Sequence, residues 1–225
     1  MPRLILLIAA VALAVTACGG SSSSHEDPVT ALKTAQQKLE QTSGVSLTLS
    51  TDDLPDGVQG LESASGTVTD APAYDGKLGV VTRLGSFSVP VKSVGGKVYA
   101  QIPLTPGWSE VNPADYGAPD PAQLISADSG VPSILAATED AKRGKDIRGG
   151  SGNREVLSTY TGTVPASAVA SIIPGATGDF DATYALTPDD ELRQVSLTGA
   201  FYGPTENTYT LVLTDYGTSK DITAP

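Results

Sequence analysis

The chain has 225 residues, a formal charge of −11, 40% hydrophobic residues and only 5% aromatics, with one cysteine and one histidine. The acidity argues against nucleic acid and against adhesion to anionic headgroups through basic patches. A single thiol leaves no disulfide framework, so stability has to come from packing.

Arg3 is followed by an apolar run from Leu4 to Val15, and Val15-Thr16-Ala17-Cys18 closes it with small residues and the lone cysteine. The run is shorter than the roughly 20 residues that span a bilayer, so residues 1–17 read as a bacterial lipoprotein signal peptide. Its removal would make Cys18 a lipid anchor. Two or three acyl chains there hold a protein firmly, at roughly 0.8 kcal/mol per buried methylene. Loss of residues 1–17 from the 225 takes Arg3 away and leaves 208 residues with a charge near −12. Residues 18–27 form the lipidated end and a Gly/Ser-rich tether, about 15–18 Å in r.m.s. span for its nine residues after Cys18. His25 lies in that tether as a solvated bystander.

Residues 28–225 are expected to form a single domain. Asp27-Pro28 starts a helix, with Val29, Leu32, Ala35 and Leu39 at helical spacing and Gly44 at its end. From Val45 the period becomes two, and strand-like runs follow at 45–50, 61–69, 77–84, 87–92 and 97–102. Asp70-Ala71-Pro72, Asp75-Gly76 and Gly95-Gly96 read as meander turns between them. Residues 105–130 are loop-rich, with a short helix beginning at Asp120-Pro121.

A second helix is expected over 131–142, with Ile134, Leu135, Thr138 and Ala141 on one face and Lys142 and Arg143 at its C-terminal end, where the helix dipole favours cations. A strand at 154–163, a short helix at 166–173 and strands at 180–186, 192–202 and 207–216 close the chain, the last two as a hairpin. The order is α+β with antiparallel pairing.

The common hydrolase and zinc chemistries lack their residues. No second histidine exists for a Ser-His-Asp relay, no thiol remains for a nucleophile, and His/Cys zinc ligation is excluded. No phosphate-binding Gly-rich loop is present. Asp52-Asp53 with Asp56, and Asp189-Asp190-Glu191, could serve a carboxylate glycosidase or a calcium site, but both sit in turn-like sequence where Asp shapes the chain.

The strands carry medium aliphatics: Leu47, Leu49, Leu78, Val80, Val89, Val91, Val195, Leu197, Leu211 and Leu213. Covered by two helices, such a sheet either closes into an ordinary packed core or leaves an apolar space suited to acyl chains.

The lipobox with its Ser-rich tether is joined by Gly96-Lys97-Val98-Tyr99-Ala100, Trp108-Ser109-Glu110-Val111 and Asp120-Pro121-Ala122-Gln123-Leu124-Ile125. Asp128-Ser129-Gly130-Val131, Ile134-Leu135-Ala136, Asp140-Ala141-Lys142 and Tyr216-Gly217 follow in order. On these segments the chain resembles the LppX/LprAFG family of actinobacterial cell-envelope lipoproteins, most closely its LprG/LprA branch. Pro90 departs from the strand pattern and calls for an edge or a bulge there.

The resemblance implies an antiparallel β half-barrel wrapped over α-helices with an apolar cavity, similar to the LolA/LolB carriers. It implies a non-enzymatic protein on the outer face of the plasma membrane. Such a protein needs no cofactor and binds multi-acylated lipids, glycolipids or lipoglycans, carrying them toward the outer envelope. A membrane transporter is a further partner it suggests. In that reading Leu47, Leu49, Leu78, Val80, Phe87, Val89 and Val91 line the cavity, Thr82 points in with Leu78 and Val80, and Lys77 and Arg83 point away. Ile134, Leu135, Val195, Leu197, Leu211 and Leu213 complete the lining. The alternative is a surface adhesin or transporter accessory protein with a filled core.

Overall fold

The computed structural model describes residues 27–225 apart from 52, 53, 56 and 117. The expected lipobox with Cys18, the tether with His25, and the carboxylates Asp52, Asp53 and Asp56 fall outside the described residues.

Helix α1 (Pro28–Gln41) starts where the sequence places it, with the Asp27 carboxylate accepting from the Thr30 N–H at 3.1 Å and Pro28 at the first position. Ala31, Leu32, Ala35 and Leu39 form its buried stripe, whereas Val29, expected on that stripe, is exposed. Six strands follow: β1 (Gly44–Ser50), β2 (Gly60–Thr69), β3 (Ala73–Thr82), β4 (Gly85–Val94), β5 (Lys97–Ala100) and β6 (Ser109–Val111). After a 3₁₀ turn at Pro121–Gln123 come α2 (Val131–Ala136), β7 (Glu139–Arg143), β8 (Ile147–Gly149), β9 (Glu155–Val164), α3 (Ala166–Val169), β10 (Thr177–Leu186), β11 (Leu192–Ala200) and β12 (Asn207–Thr214).

All described strands join one open antiparallel sheet in the order β6-β5-β4-β3-β2-β1-β12-β11-β10-β9-β7, with β8 also paired to β9. It consists of two meanders joined where β1 pairs with β12. Sheet and helices together give the α+β architecture expected, as an open sheet with helices over one face. That face is fixed by register. Ser93 on it donates to Asp120, at the start of the 3₁₀ turn, at 2.6 Å, and Tyr184 on it meets Thr138, just past α2, at 2.6 Å.

Three expectations need correction. The second helix stops at Ala136, and residues 139–143 are the edge strand β7. The Thr138 hydroxyl turns back to the Ile134 carbonyl at 2.9 Å, and Asp140 takes a left-handed φ of 51°, which an α-helix cannot continue through. Gly162 lets β7 approach, since a Cβ there would stand 2.5 Å from Thr138 Cγ2 and 2.7 Å from the Glu139 carbonyl. Lys142 and Arg143 therefore cap no helix. Arg143 bonds Asp146 at 2.6 Å and lies 5.5 Å from the Tyr160 ring.

Asp75-Gly76 is no turn; it lies inside β3. Gly66 and Gly76 face each other in register, and the Tyr74 ring occupies the space their side chains would fill, with its hydroxyl donating to the Ser65 carbonyl at 3.0 Å. Burial first, and then the neighbouring Asp75, push the Tyr74 hydroxyl pKa upward. Gly95-Gly96 does form the expected two-residue turn, both residues at positive φ between the paired Val94 and Lys97.

Pro90 lies on an internal strand without a bulge. Its carbonyl accepts from Gln101 at 3.0 Å, one residue past the end of β5, so its missing N–H falls where that ladder has already ended. Proline thus sits at a local edge inside an internal strand.

Candidate functional site

Side chains directly opposite in antiparallel strands share a face, so the pairing decides which predicted residues meet. One row runs Tyr184, Val195, Leu211, Leu49, Ala64, Leu78, Val89 from β10 to β4. Leu213, Leu47, Gly66, Gly76 and Val91 form a parallel row, and Leu61, Val80 and Phe87 a shorter one toward the other end of β2–β4. Leu197 pairs with Tyr209 on the same side. The eleven strand residues of the expected lining thus share the helix-covered face.

Burial divides them. Leu47, Val91, Val195, Leu197, Leu211 and Leu213 are buried, as are Ile134 and Leu135 of α2. Leu49, Leu78, Val80, Phe87 and Val89 are only half-buried. The cause is the uneven cover. α1 packs on α2, β7 and β11, and α3 on β10 and α2, while the main cover of β2, β3 and β4 is the 3₁₀ turn at Pro121–Gln123. That turn sits at the Ser93 end, and at the other end of β2 the Leu61 N–H donates to the Tyr202 hydroxyl at 3.4 Å while the Tyr209 hydroxyl donates to the Leu61 carbonyl. Thr82 there shapes the β3–β4 turn, donating to the Gly85 carbonyl at 3.0 Å and accepting from the Leu84 N–H at 3.1 Å.

Over the second meander the face is closed. Phe180 and Phe201 meet at a tilt with centroids 4.7 Å apart, and Phe201 meets Tyr209 edge-on at 4.9 Å. Tyr184 is buried on this face, and burial pushes its hydroxyl pKa upward despite the bond to Thr138. Asn207 is 1% exposed, and among the described residues neither its amide oxygen nor its nitrogen has a hydrogen-bond partner. Leaving such a group unpaired costs about 1–3 kcal/mol.

Between the 3₁₀ turn over the first meander and α3 over the second lies a pocket of about 150 Å³, lined by Pro119, Asp120, Gln123, Leu124, Ser129, Ser171 and Ile172. None of the predicted lining residues borders it. Sequence reasoning missed it because residues 105–130 carry no periodic pattern. The available signal was Asp120-Pro121, which does start the turn, with the carboxylate accepting from the Ala122 N–H at 2.9 Å.

The remaining carboxylates form a turn. In Asp189-Asp190-Glu191 the bonds are Thr187 N–H to the Glu191 carbonyl and Asp190 N–H to the Thr187 carbonyl, both 2.9 Å, and Asp190 sits at φ 56°. Among the described residues no three His, Cys, Asp or Glu side chains are grouped to hold a metal ion. Among them also, no helix is long and apolar enough to cross a membrane.

Residues 27–223 match the family model described as LppX_LprAFG lipoprotein. The chain is 30% identical to the lipoarabinomannan carrier protein LprG of Mycobacterium tuberculosis H37Rv and of Mycobacterium bovis BCG, over 99% of this chain and 95% of each relative. In fold it is similar to the crystal structure of LprF from Mycobacterium bovis, at 14% identity and a TM-score of 0.69 over 88% of this chain and 96% of that one. The Mycobacterium tuberculosis lipoprotein LppX gives 17% identity and a TM-score of 0.63 over 87% and 97%.

Proposed function

The chain belongs to the LppX_LprAFG lipoprotein family, and from that premise we propose that it is a non-catalytic carrier of multi-acylated lipids, anchored through Cys18 at the outer face of the plasma membrane. The observation that carries this reading is the half-buried apolar surface of Leu49, Leu78, Val80, Phe87 and Val89, continuous in register with a buried core. Acyl tails lie along that surface and extend it toward Leu47 and Val91. Relatives named as lipoarabinomannan carriers support a lipoglycan or glycolipid as cargo.

Transfer energetics fix the character of the process. A C16 chain carries about 12 kcal/mol of gross transfer energy from water at roughly 0.8 kcal/mol per methylene. Moving it from a membrane to an apolar protein surface exchanges one apolar phase for another, so net capture is near zero. Direction toward the outer envelope then comes from lipid supply or from a membrane partner. No acid, base or metal enters, which leaves the carboxylates to turns and solubility.

Two measurements test this. Native mass spectrometry of the purified protein is expected to show co-purified lipid, and a lipid-free protein that takes up none from vesicles would sink the carrier reading in favour of a surface protein with a filled core. In cell fractionation, Cys18→Ala is expected to leave the membrane pellet. Quantitative retention there would remove the lipobox assignment.

A further inference from the structure

We infer that the pocket between the Pro121–Gln123 turn and α3 is a binding site for a neutral, hydroxyl-bearing head group of sugar size, held beside the acyl-binding face. The tail half of this picture rests on the carrier reading above; the pocket itself stands on its own geometry.

The walls come from two covers that share no strand. Asp120, Gln123 and Leu124 belong to the segment packed on β2–β4, and Ser171 and Ile172 follow α3, which packs on β10. Leu124 and Ile172 are partly buried and packed against the core, so the pocket floor is continuous with the apolar interior. The lining is largely apolar, and a few polar groups interrupt it. Gln123 and Ser129 contribute two of them, and among the described residues neither side chain has a hydrogen-bond partner. Ser171 donates to the Ala168 carbonyl at 2.6 Å and keeps its lone pairs free to accept. Asp120 receives Ser93 and Ala122 on Oδ1, at 2.6 and 2.9 Å, and its Oδ2 carries no bond among the described residues.

This donor and acceptor set selects a class of ligand. A carboxamide offers two donors and an acceptor, serine hydroxyls do either, and a carboxylate oxygen only accepts. Hydroxyl groups, which donate and accept together, satisfy all four; a phosphate, an acceptor only, would face Asp120 oxygen to oxygen. The volume of about 150 Å³ holds several waters, the room of one six-membered polyol ring. The wall is also built tightly. Gly130 N–H bonds the Ser126 carbonyl at 3.0 Å and Val131 N–H the Leu124 carbonyl at 2.9 Å, and a Cβ at Gly130 would stand 2.4 Å from that carbonyl oxygen. Gln123 and Ser129 are thereby held on one closed loop.

The test compares two lipids with the same tails, dipalmitoylglycerol and its monogalactosyl derivative, as displacers of bound cis-parinaric acid from the purified protein. The wild type is expected to prefer the galactolipid about tenfold, the effect of one to two net hydrogen bonds. The Gln123→Leu and Ser129→Ala variants are expected to lose that preference while binding dipalmitoylglycerol unchanged. A second arm records side-chain amide NMR shifts of Gln123 on adding millimolar methyl galactoside alone. Failure of parinaric acid to bind, with the amide still shifting, removes the tail surface and leaves the pocket. No lipid preference with no amide shift overturns the pocket. So does an equal loss of both lipids in the variants, which would place Gln123 and Ser129 in tail packing.

Discussion

The two meanders are written in the same alphabet and end up differently. β10–β12 present Val195, Leu197, Leu211, Tyr209 and Tyr184 to the inward face, and all are buried. β2–β4 present Leu78, Val80, Phe87 and Val89 to the same face with the same period of two, and these are half-buried, whereas Ala64, Val68, Tyr74 and Val91 on that face are buried. Alternation decides which face a side chain takes; the covering layer decides whether that face is sealed. α1 packs on β11 and α3 on β10, whereas the main cover of β2–β4 is one turn of 3₁₀ helix at one end, with Tyr202 and Tyr209 reaching Leu61 at the other. The second meander is core throughout, and the first is core at one end and a half-buried apolar surface at the other.

The comparison breaks most visibly at Phe180. Its ring fills the space over Gly199, where a Cβ would stand 2.3 Å from Cδ1, and packs on Phe201. Phe180→Ala is expected to cost about 3–5 kcal/mol by the cavity it leaves, with lipid transfer per folded molecule unchanged. Denaturant melts check the first part. A loss under about 1 kcal/mol would mean that the second meander is as loosely covered as the first.

The same closed region holds the opposite kind of mutation. Asn207, buried with both amide atoms unpaired, is a destabilising residue in an apolar setting. Asn207→Leu is expected to raise stability by about 1–3 kcal/mol, the cost of the unmet bonds. A drop instead would show that the amide is satisfied in solution by a trapped water.

Leu78→Trp probes the open region. An indole there extends over half-empty surface, so the expected cost is less than about 1 kcal/mol, against the 1–3 kcal/mol that overpacking a dense core costs. Lipid transfer is expected to fall, because the tail surface is occupied. Unchanged transfer with a large fall in melting temperature would turn Leu78 into ordinary core and erase the contrast between the meanders.

Much of this was legible in the sequence, for physical reasons that differ by element. The α1 start and the period-two strands follow from local rules, Asp27 capping and side-chain alternation, so α1 and nine strands stand where expected to within a few residues. What failed depended on partners far away. Residues 139–143 have helix-compatible composition, yet β9 captures them because Gly162 leaves room. Asp75-Gly76 has turn composition, yet Gly76 is needed for its lack of a side chain, under a tyrosine. The aliphatic positions came out on one face, but nothing local distinguishes half-buried Leu78 from buried Leu197, and the pocket arises from loop segments that meet only in three dimensions.

The smallest effect is expected at the turn between β10 and β11, where Asp189 and Asp190 close the far end of the sealed meander. The bonds that shape this turn are made by backbone groups and by Thr187, whose hydroxyl accepts from the Glu191 N–H at 3.1 Å. Asp190 stands at φ 56°, a conformation that asparagine adopts as readily as aspartate. The double change Asp189→Asn with Asp190→Asn therefore removes two charges from a strongly acidic surface while keeping backbone and volume. Stability is expected to move by no more than about 0.5 kcal/mol, with lipid transfer unaltered in the presence or absence of a chelator. Transfer lost in the variant, or lost on chelation in the wild type, would mean that a carboxylate or a bound cation takes part. The passive partition of tails onto an apolar face would then no longer account for how this protein works.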